Sequence, residues 1–134
     1  MANYYGTTRT NYFAVKDAEA FLAEVANYPV SVITDTRGEQ TLYGFLDDDP
    51  DGSGDVWTTY DGYDESEIEW QDVFARHLAD GWVAIFMTAG AEKYRYVSGS
   101  ATAYNNKGES MHLDLTDIYT LANDLGDNIT EASY

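Results

Sequence analysis

The chain has 134 residues, with 24 Asp and Glu against seven Lys and Arg, and therefore a net charge of −17. This balance disfavours direct binding to DNA, RNA or an anionic membrane, because their phosphates attract cations. The absence of cysteine excludes disulfides and thiolate metal sites, and 44% hydrophobic residues indicate a single folded domain spanning residues 1–134.

The first half of the chain alternates extended and helical patterns. Asp17 is a predicted N-cap for a helix over residues 18–27, which Pro29 ends. The apolar stripe of this helix comprises Phe21, Leu22, Val25 and Ala26. β-forming residues bounded by turn residues predict strands at 7–15, 30–34, 40–46 and 55–59.

The second half predicts a helix, three strands and a last helix. Ser66 and Glu69 have capping-box spacing, which predicts a helix from Ser66 through residue 79, with Gly81 at C′. Its inward residues are predicted to be Ile68, Val73, Phe74 and Leu78. Strands follow at 82–89, which we expect to be a buried central strand, at 94–104 and at 110–115, with a turn at 105–108. Thr116 and Gly126 bound a predicted helix at 117–125, before a loose tail at 127–134.

This order of elements predicts the fold class. Strands and about three helices without strict alternation are typical of a single α+β domain. We expect an antiparallel-rich sheet with helices mainly on one face, and a ferredoxin-like arrangement in the first part. Residues 1–5 lack the regions of a signal peptide, and the longest apolar run, 82–87, is too short to span a bilayer. We therefore expect a cytoplasmic protein of the host cell.

The acidic residues are concentrated in one window. Eleven of the 24 carboxylates lie between Asp47 and Asp72, where no Lys or Arg occurs. Trp57, Tyr60 and Tyr63 are interspersed among them. Acidity across the whole chain does not account for this local density, so the window is the main candidate for a functional surface.

The start of this window has the D-x-D-x-D-G spacing of a calcium-binding loop, with Asp47, Asp49 and Asp51 as candidate ligands. The twelfth position is Thr58 rather than the bidentate Glu, and a predicted strand precedes the loop instead of a helix. The pattern therefore favours an exposed Asp/Gly turn, and we expect no cofactor.

The predicted helix continues the window. On a helix, Glu65, Glu69 and Asp72 share one face, and Arg76 is placed to pair with Asp72. A solvated helix face explains such a stripe by itself, but joined to the preceding loop it forms a surface resembling the charge array of a nucleic acid. The predicted partner-binding residues are Asp47, Asp48, Asp49, Asp51, Asp55, Asp61, Asp64, Glu65, Glu69 and Asp72, with Trp57, Tyr60 and Tyr63 as aromatic anchors.

The remaining polar clusters do not predict catalysis. Lys93 and Arg95 share one side of a predicted strand, where an ion pair with the acidic window is favoured over RNA binding. His77 and His112 lie far apart and match no metal-ligand spacing, and no nucleophile or phosphate-loop motif occurs. We therefore expect a protein that is not an enzyme.

Two segments, residues 8–17 and 90–96, resemble segments of small proteins of phages and plasmids. In charge and size the chain is similar to acidic anti-restriction and anti-CRISPR inhibitors. The resemblance implies an inhibitor that occupies the basic surface of a nucleic-acid-binding defence protein. The alternative is a calcium-binding or salt-adapted structural or accessory protein without an inhibitory role, because surface acids also keep proteins hydrated in high salt.

Overall fold

The computed structural model describes residues 5–48, 52–61, 64–92 and 96–132. Within them the fold is α+β, with most of its strands in one antiparallel sheet. The helices are α1 (Ala18–Val25), α2 (Trp70–His77) and α3 (Asp117–Leu121), and a 3-10 turn covers Ala122–Asp124. The strands are β1 (Tyr5–Thr10), β2 (Val30–Arg37), β3 (Gln40–Asp47), β4 (Thr58–Asp61), β5 (Asp64–Glu67), β6 (Ala84–Glu92), β7 (Tyr96–Tyr104) and β8 (Ser110–Asp114).

Six strands form a sheet in the order β2-β3-β1-β6-β7-β8, and every pairing in it is antiparallel. β3 lies between β1 and β2, which α1 connects, and β1 lies between β3 and β6, which the segment containing α2 connects. These two interleaved split β-α-β units are the ferredoxin-like arrangement expected for the first part. β7 and β8 extend the sheet as a meander, and β4 and β5 form a separate two-stranded sheet.

The core is largely aromatic and lies between the sheet and the helices α1 and α2. The rings of Phe13, Phe45 and Phe74 are almost completely buried, and their centroids lie 5.4–6.4 Å apart. Ring pairs at this separation stabilise the fold beyond their buried area. All four inward residues predicted for the second helix region, including Ile68 and Leu78, are buried.

The first helix agrees closely with its prediction. The Asp17 carboxylate accepts hydrogen bonds from the backbone N–H groups of Glu19 and Ala20, so the predicted N-cap is confirmed. Phe21 and Val25 face the core, whereas Leu22 is 40% exposed and Ala26 is an exposed C-cap residue, so the predicted places of these two in the apolar stripe are wrong. Phe21 and Val25 are four residues apart on one side of the helix, and Leu22 is turned about 100° away from Phe21.

The predicted start of the second helix is wrong. Ser66 lies in β5 opposite Thr59, and α2 begins only at Trp70, with Glu69 as an N-cap that makes no side-chain capping bond within the described residues. Ile68 is buried, and its N–H donates to the Trp57 carbonyl oxygen at 2.6 Å. This contact holds the chain extended where the capping-box spacing predicted a helical turn.

The end of α2 also differs from the prediction. The helix stops at His77 because the buried residue Leu78 forms an isolated β-bridge with Val15. Gly81 therefore lies beyond the C′ position, although its φ of +83° still uses the conformational freedom of glycine.

The later elements follow the predicted order with two corrections. β6 is an inner strand as expected, but it is buried on one side only, since Phe86 is buried and Met87 is 60% exposed. α3 is shorter than predicted, and Thr116 makes no side-chain capping bond within the described part of the chain. In the same residues, no helix has the length and apolarity needed to cross a membrane.

Residues 52–57 connect β3 to β4 by crossing the helix-bearing side of the sheet over β1. The Thr8 hydroxyl donates to the Gly54 carbonyl oxygen at 2.6 Å, and the Gly6 N–H donates to the Gly52 carbonyl oxygen at 2.9 Å. β4 was predicted at 55–59 but begins at Thr58, because Val56 is buried and Trp57 packs on the core. This crossing segment sets the position of the following acidic hairpin.

Candidate partner-binding surface

The hairpin of β4 and β5 carries the centre of the acidic window. Its register pairs Thr58 with Glu67 and Tyr60 with Glu65, and Asp61 and Asp64 form the last pair before the turn. Glu65 and Glu67 are exposed. The hairpin thus presents acidic positions on a two-stranded sheet that is separate from the main one.

The root of the hairpin is anchored in the core. The Trp57 ring lies 5.0 Å from that of Phe86, and the Trp70 indole Nε1–H donates to the Val56 carbonyl oxygen at 3.0 Å. An isolated two-stranded hairpin is at best marginally stable in water. These contacts with the core therefore stabilise the hairpin and fix the position of its first strand. Trp57, which the sequence suggested as an anchor for a partner, packs mainly on the protein's own core and stays partly exposed.

The first turn of α2 adds two more exposed acids, Glu69 and Asp72. Glu65 is on a strand, so the predicted helical stripe joining it to these two residues does not exist. Arg76 forms no ion pair with Asp72 within 4 Å, contrary to the prediction, because its guanidinium binds Glu24. The hydrogen bond to Glu24 raises the pKa of Arg76, and the charge of Asp72 adds a smaller effect in the same direction. In the described residues, no Lys or Arg nitrogen lies within 4 Å of the carboxylates of Glu65, Glu67, Glu69 or Asp72.

The first turn of α2, including Glu69, lies close to the strands β7 and β8. Burial raises the pKa of the Tyr104 hydroxyl, and the negative charge of Glu69 raises it further. The side chain of Gln71 donates to the Gly108 carbonyl oxygen in the β7–β8 turn. These contacts place the first turn of α2 against the end of the β7–β8 meander.

Two acids of the window have structural roles. The Asp47 carboxylate accepts a hydrogen bond from the Thr8 N–H at 2.8 Å, and the Asp55 carboxylate accepts one from the Trp57 N–H at 2.8 Å. Each of these carboxylates satisfies a backbone donor and so helps to hold its segment of the chain in place. Asp48 is exposed at the end of β3.

Other predicted site residues lie wholly or partly outside the described structure. Asp49, Asp51 and Tyr63 are outside the described residues, as are Lys93 and Arg95, and only the backbone is described for Tyr60, Asp61 and Asp64. Two of the three candidate calcium ligands, Asp49 and Asp51, therefore lie outside the residues that the structure describes. Among the described residues, no three His, Cys, Asp or Glu side chains are grouped as a metal site.

A polar cluster that the sequence did not predict joins α1 to α2. The Glu24 carboxylate accepts hydrogen bonds from Arg76 Nε at 3.1 Å and Nη2 at 2.6 Å, and His77 Nε2 lies 2.8 Å from it. The Arg76 hydrogen bonds lower the pKa of Glu24, against an opposing effect of burial. Burial and the Glu24 charge raise the pKa of Tyr28.

This cluster predicts a pH-dependent contribution to stability. Because the folded-state pKa of Glu24 is below its ordinary value of 4.5, its contribution is complete above that pH and is lost as the pH falls through the folded-state pKa. Glu24→Gln should lower the free energy of unfolding at neutral pH by about 1–2 kcal/mol, reduced by the partial exposure of Arg76. Urea titrations of the wild type and of the variant, at neutral and at acidic pH, measure the loss of unfolding free energy and its dependence on pH.

The matched control for this prediction is Asp35→Asn. Asp35 pairs with Arg37 at 2.9 Å, but the two side chains are 40% and 67% exposed, more than those of Glu24 and Arg76, so the change should have little effect at either pH. If the difference between the wild type and Glu24→Gln is as large at acidic pH as at neutral pH, the assignment of the ionised Glu24 as the stabilising group is wrong.

The second histidine lies in a different hydrogen-bonded chain. His112 Nδ1 is 2.7 Å from the Thr102 hydroxyl, and His112 Nε2 is 3.1 Å from the Asp114 carboxylate. The Asp114 N–H donates to the carboxylate of Asp117, at the start of α3. About half of the His112 side chain is exposed, and these bonds connect β7, β8 and α3 at the sheet edge.

No protein-family model, no curated protein and no solved structure matches this chain.

Proposed function

We propose that this chain is a non-enzymatic inhibitor that binds the basic surface of a nucleic-acid-binding protein. Its binding surface, called the acidic surface below, comprises the β4–β5 hairpin and the first turn of α2. The observation that carries the proposal is that four exposed carboxylates, those of Glu65, Glu67, Glu69 and Asp72, have no basic partner within 4 Å in the described part of the chain.

Exposed carboxylates that form no ion pair within the protein keep their attraction for cations, and self-repulsion from the net charge of −17 lowers the stability of the fold. A partner that supplies Lys and Arg removes this repulsion, and complementary potentials raise the rate of encounter. The gain is largest for a protein whose surface already binds phosphates, because that surface has a matching density of positive charge.

The spacing of acids on a strand supports the same partner class. Glu65 and Glu67 are two residues apart on β5 and share one side of the hairpin. Two residues of a strand advance about 6.6 Å. That distance is close to the rise of two nucleotides of one DNA strand, about 6.8 Å. Residues four apart on one face of a helix advance about 6.0 Å, so the strand spacing is the slightly closer of the two.

The partner class we propose is a nucleic-acid-binding protein of a bacterial or archaeal defence system, such as a CRISPR or restriction enzyme. The chain is similar in charge and size to the inhibitors that mobile elements carry, and this similarity supports a defence protein as the partner. Inhibition would follow from exclusion of DNA or RNA from the occupied surface.

Charge reversal tests the proposal. The triple variant Asp64→Lys, Glu65→Lys and Glu69→Lys should weaken binding at least about 100-fold, because close charge pairs across interfaces couple strongly. The measurement is capture, on the immobilised protein, of nucleic-acid-binding proteins from cells carrying defence systems. Wild-type capture should fall steeply with salt and compete with DNA or RNA.

The control reverses three acids elsewhere, at Glu19, Glu39 and Asp124, which are all exposed. It changes the net charge by the same amount, so a general charge effect would appear in both variants. Capture that survives reversal of Asp64, Glu65 and Glu69, or that is lost equally in the control, contradicts the assignment of this surface.

A further inference from the structure

The strands β7 and β8 carry their apolar residues on the side of the sheet away from α1 and α2. The pairing register places Ser100, Thr102 and Asp114 on the same side as the buried residue Phe86. Met87, Leu113 and their neighbours lie on the opposite side. We call this side of β1, β6, β7 and β8 the back face. In the described part of the chain, the half of the sheet formed by β7 and β8 therefore has its apolar side opposite to α1 and α2, and its large apolar side chains are exposed.

Six large apolar side chains of the back face and its margin are more than half exposed, with values between 54% and 79%. They are Tyr5, Met87, Val97, Met111, Leu113 and Leu115. At roughly 100 Å² each, they reach the upper limit of the apolar patches found on monomers, about 300–600 Å². The total approaches the ~800 Å² that each partner buries in a standard interface, before the smaller residues between them are counted.

The back face carries a groove and apolar ridges side by side. A groove of about 440 Å³ has Ala89, Gly99 and Ala101 among its lining residues. Leu113 and Leu115 line its other side, and Leu115 packs directly over Gly99, where a Cβ atom would lie 2.9 Å from Leu115 Cδ1. A ridge beside a groove on the same surface is what a two-fold symmetric interface requires, since each copy must supply both.

The charge distribution of the back face favours a second copy of the chain as its binding partner. Among the described back-face positions of β1, β6, β7 and β8, the only charged residue is Arg9, and no Asp or Glu occurs. Two copies with a charge of −17 each repel one another through most of their surface. Contact through the back face allows close approach without bringing carboxylates together. A strongly basic or acidic partner finds almost no complementary charge there.

We propose that the chain forms a two-fold symmetric dimer in which two back faces pack sheet on sheet. Packed sheets lie about 10 Å apart and interdigitate their facing side chains, as these ridges and grooves permit. The inference concerns a surface distinct from the acidic surface and does not depend on the proposed function. In such a dimer, the sides of the two sheets that carry the helices face outward, away from the interface.

Sedimentation or light scattering over a concentration series tests the dimer, with Leu113→Glu as the disrupting variant. Wild type should be dimeric at micromolar concentration, and Leu113→Glu should raise the dimer Kd at least about 100-fold, because each interface would bury two carboxylates. Leu113 is 58% exposed, so the variant should keep the wild-type circular dichroism spectrum. Met111→Glu, at a residue 79% exposed, is a second variant with the same expected outcome.

Leu125→Glu is the matched control, because Leu125 is 92% exposed and lies beyond α3, outside the back face. It should leave the dimer intact. Added salt should strengthen dimerisation by screening the repulsion between the two copies, opposite to its effect on the acidic surface. A wild-type protein that stays monomeric at ~100 μM, or a Leu113→Glu variant that dimerises like the wild type, overturns the proposal.

Discussion

Replacing Trp70 with alanine is expected to lower the free energy of unfolding by about 3–5 kcal/mol, a large share of the 5–15 kcal/mol typical of a domain. Trp70 is 2% exposed and packs against Phe45 and Phe86, with ring centroids 5.3 and 5.1 Å away. The substitution leaves a cavity in the aromatic core and removes the indole donor to the Val56 carbonyl oxygen. Urea unfolding followed by circular dichroism measures the loss.

Two further variants separate the effect of the lost ring volume from that of the lost indole hydrogen bond, and test how much the burial of the ring matters. Trp70→Phe keeps most of the ring volume but leaves the Val56 carbonyl oxygen without its partner, and it should cost about 1–3 kcal/mol. Trp57→Ala removes a ring of the same size that is only partly buried, so its effect should be well below that of Trp70→Ala. Equal effects of Trp57→Ala and Trp70→Ala would contradict the central place of Trp70 in the core.

The second large effect is expected for Gly54→Ala, at about 2–5 kcal/mol of destabilisation. Gly54 has a φ of +77°, and a Cβ atom there would lie 2.9 Å from the backbone carbon of Gly6 and 3.0 Å from the backbone nitrogen of Thr7. The alanine therefore adds a backbone clash to an unfavourable conformation. Relief of the clash requires the crossing segment to move away from β1, which strains the buried bond from the Thr8 hydroxyl.

Gly38→Ala is a matched control for Gly54→Ala. Gly38 has a similar φ of +65°, but no atom lies within 4 Å of a Cβ atom built there. This variant should show only the conformational cost, about 1–2 kcal/mol. The difference between the two variants, measured by chemical denaturation, reports the close approach of the crossing segment to β1. Equal destabilisation would show that this approach is not a tight constraint.

The two acidic segments that looked continuous in the sequence illustrate how local signals fail. Ser66 and Glu69 have capping-box spacing, but a cap contributes only about 1 kcal/mol. Burial of Ile68 and Trp70, with the backbone bond from Ile68 to Trp57, outweighs it. The same tertiary contacts turn the predicted helix face into a hairpin followed by a short helix, and they separate Glu65 from Glu69.

Ion pairs between residues far apart in the chain could not be predicted from the sequence either. Glu24 binds Arg76 across 52 positions, and with 24 acids and seven strong bases in the chain, nothing local singles out this pair. Asp72 is a nearer candidate on the same helix, but Arg76 points toward α1 instead. The structure brings Glu24 and Arg76 together because α1 and α2 pack side by side on one side of the sheet.

The sequence by itself determined the α+β class, the approximate positions along the chain of the strands of the main sheet, the Asp17 cap, the inward residues of the second helix region and the density of acids between Asp47 and Asp72, but not the order of the strands in the sheet. These features depend on periodicity and on residues close in the chain. Only the tertiary structure decided that the described acids of this window are divided between backbone contacts, a hairpin and a helix turn, and that the apolar residues of β7 and β8 lie on the side of the sheet away from α1 and α2. Alternation along a strand shows that one side is apolar, but what covers that side depends on contacts between residues far apart in the sequence.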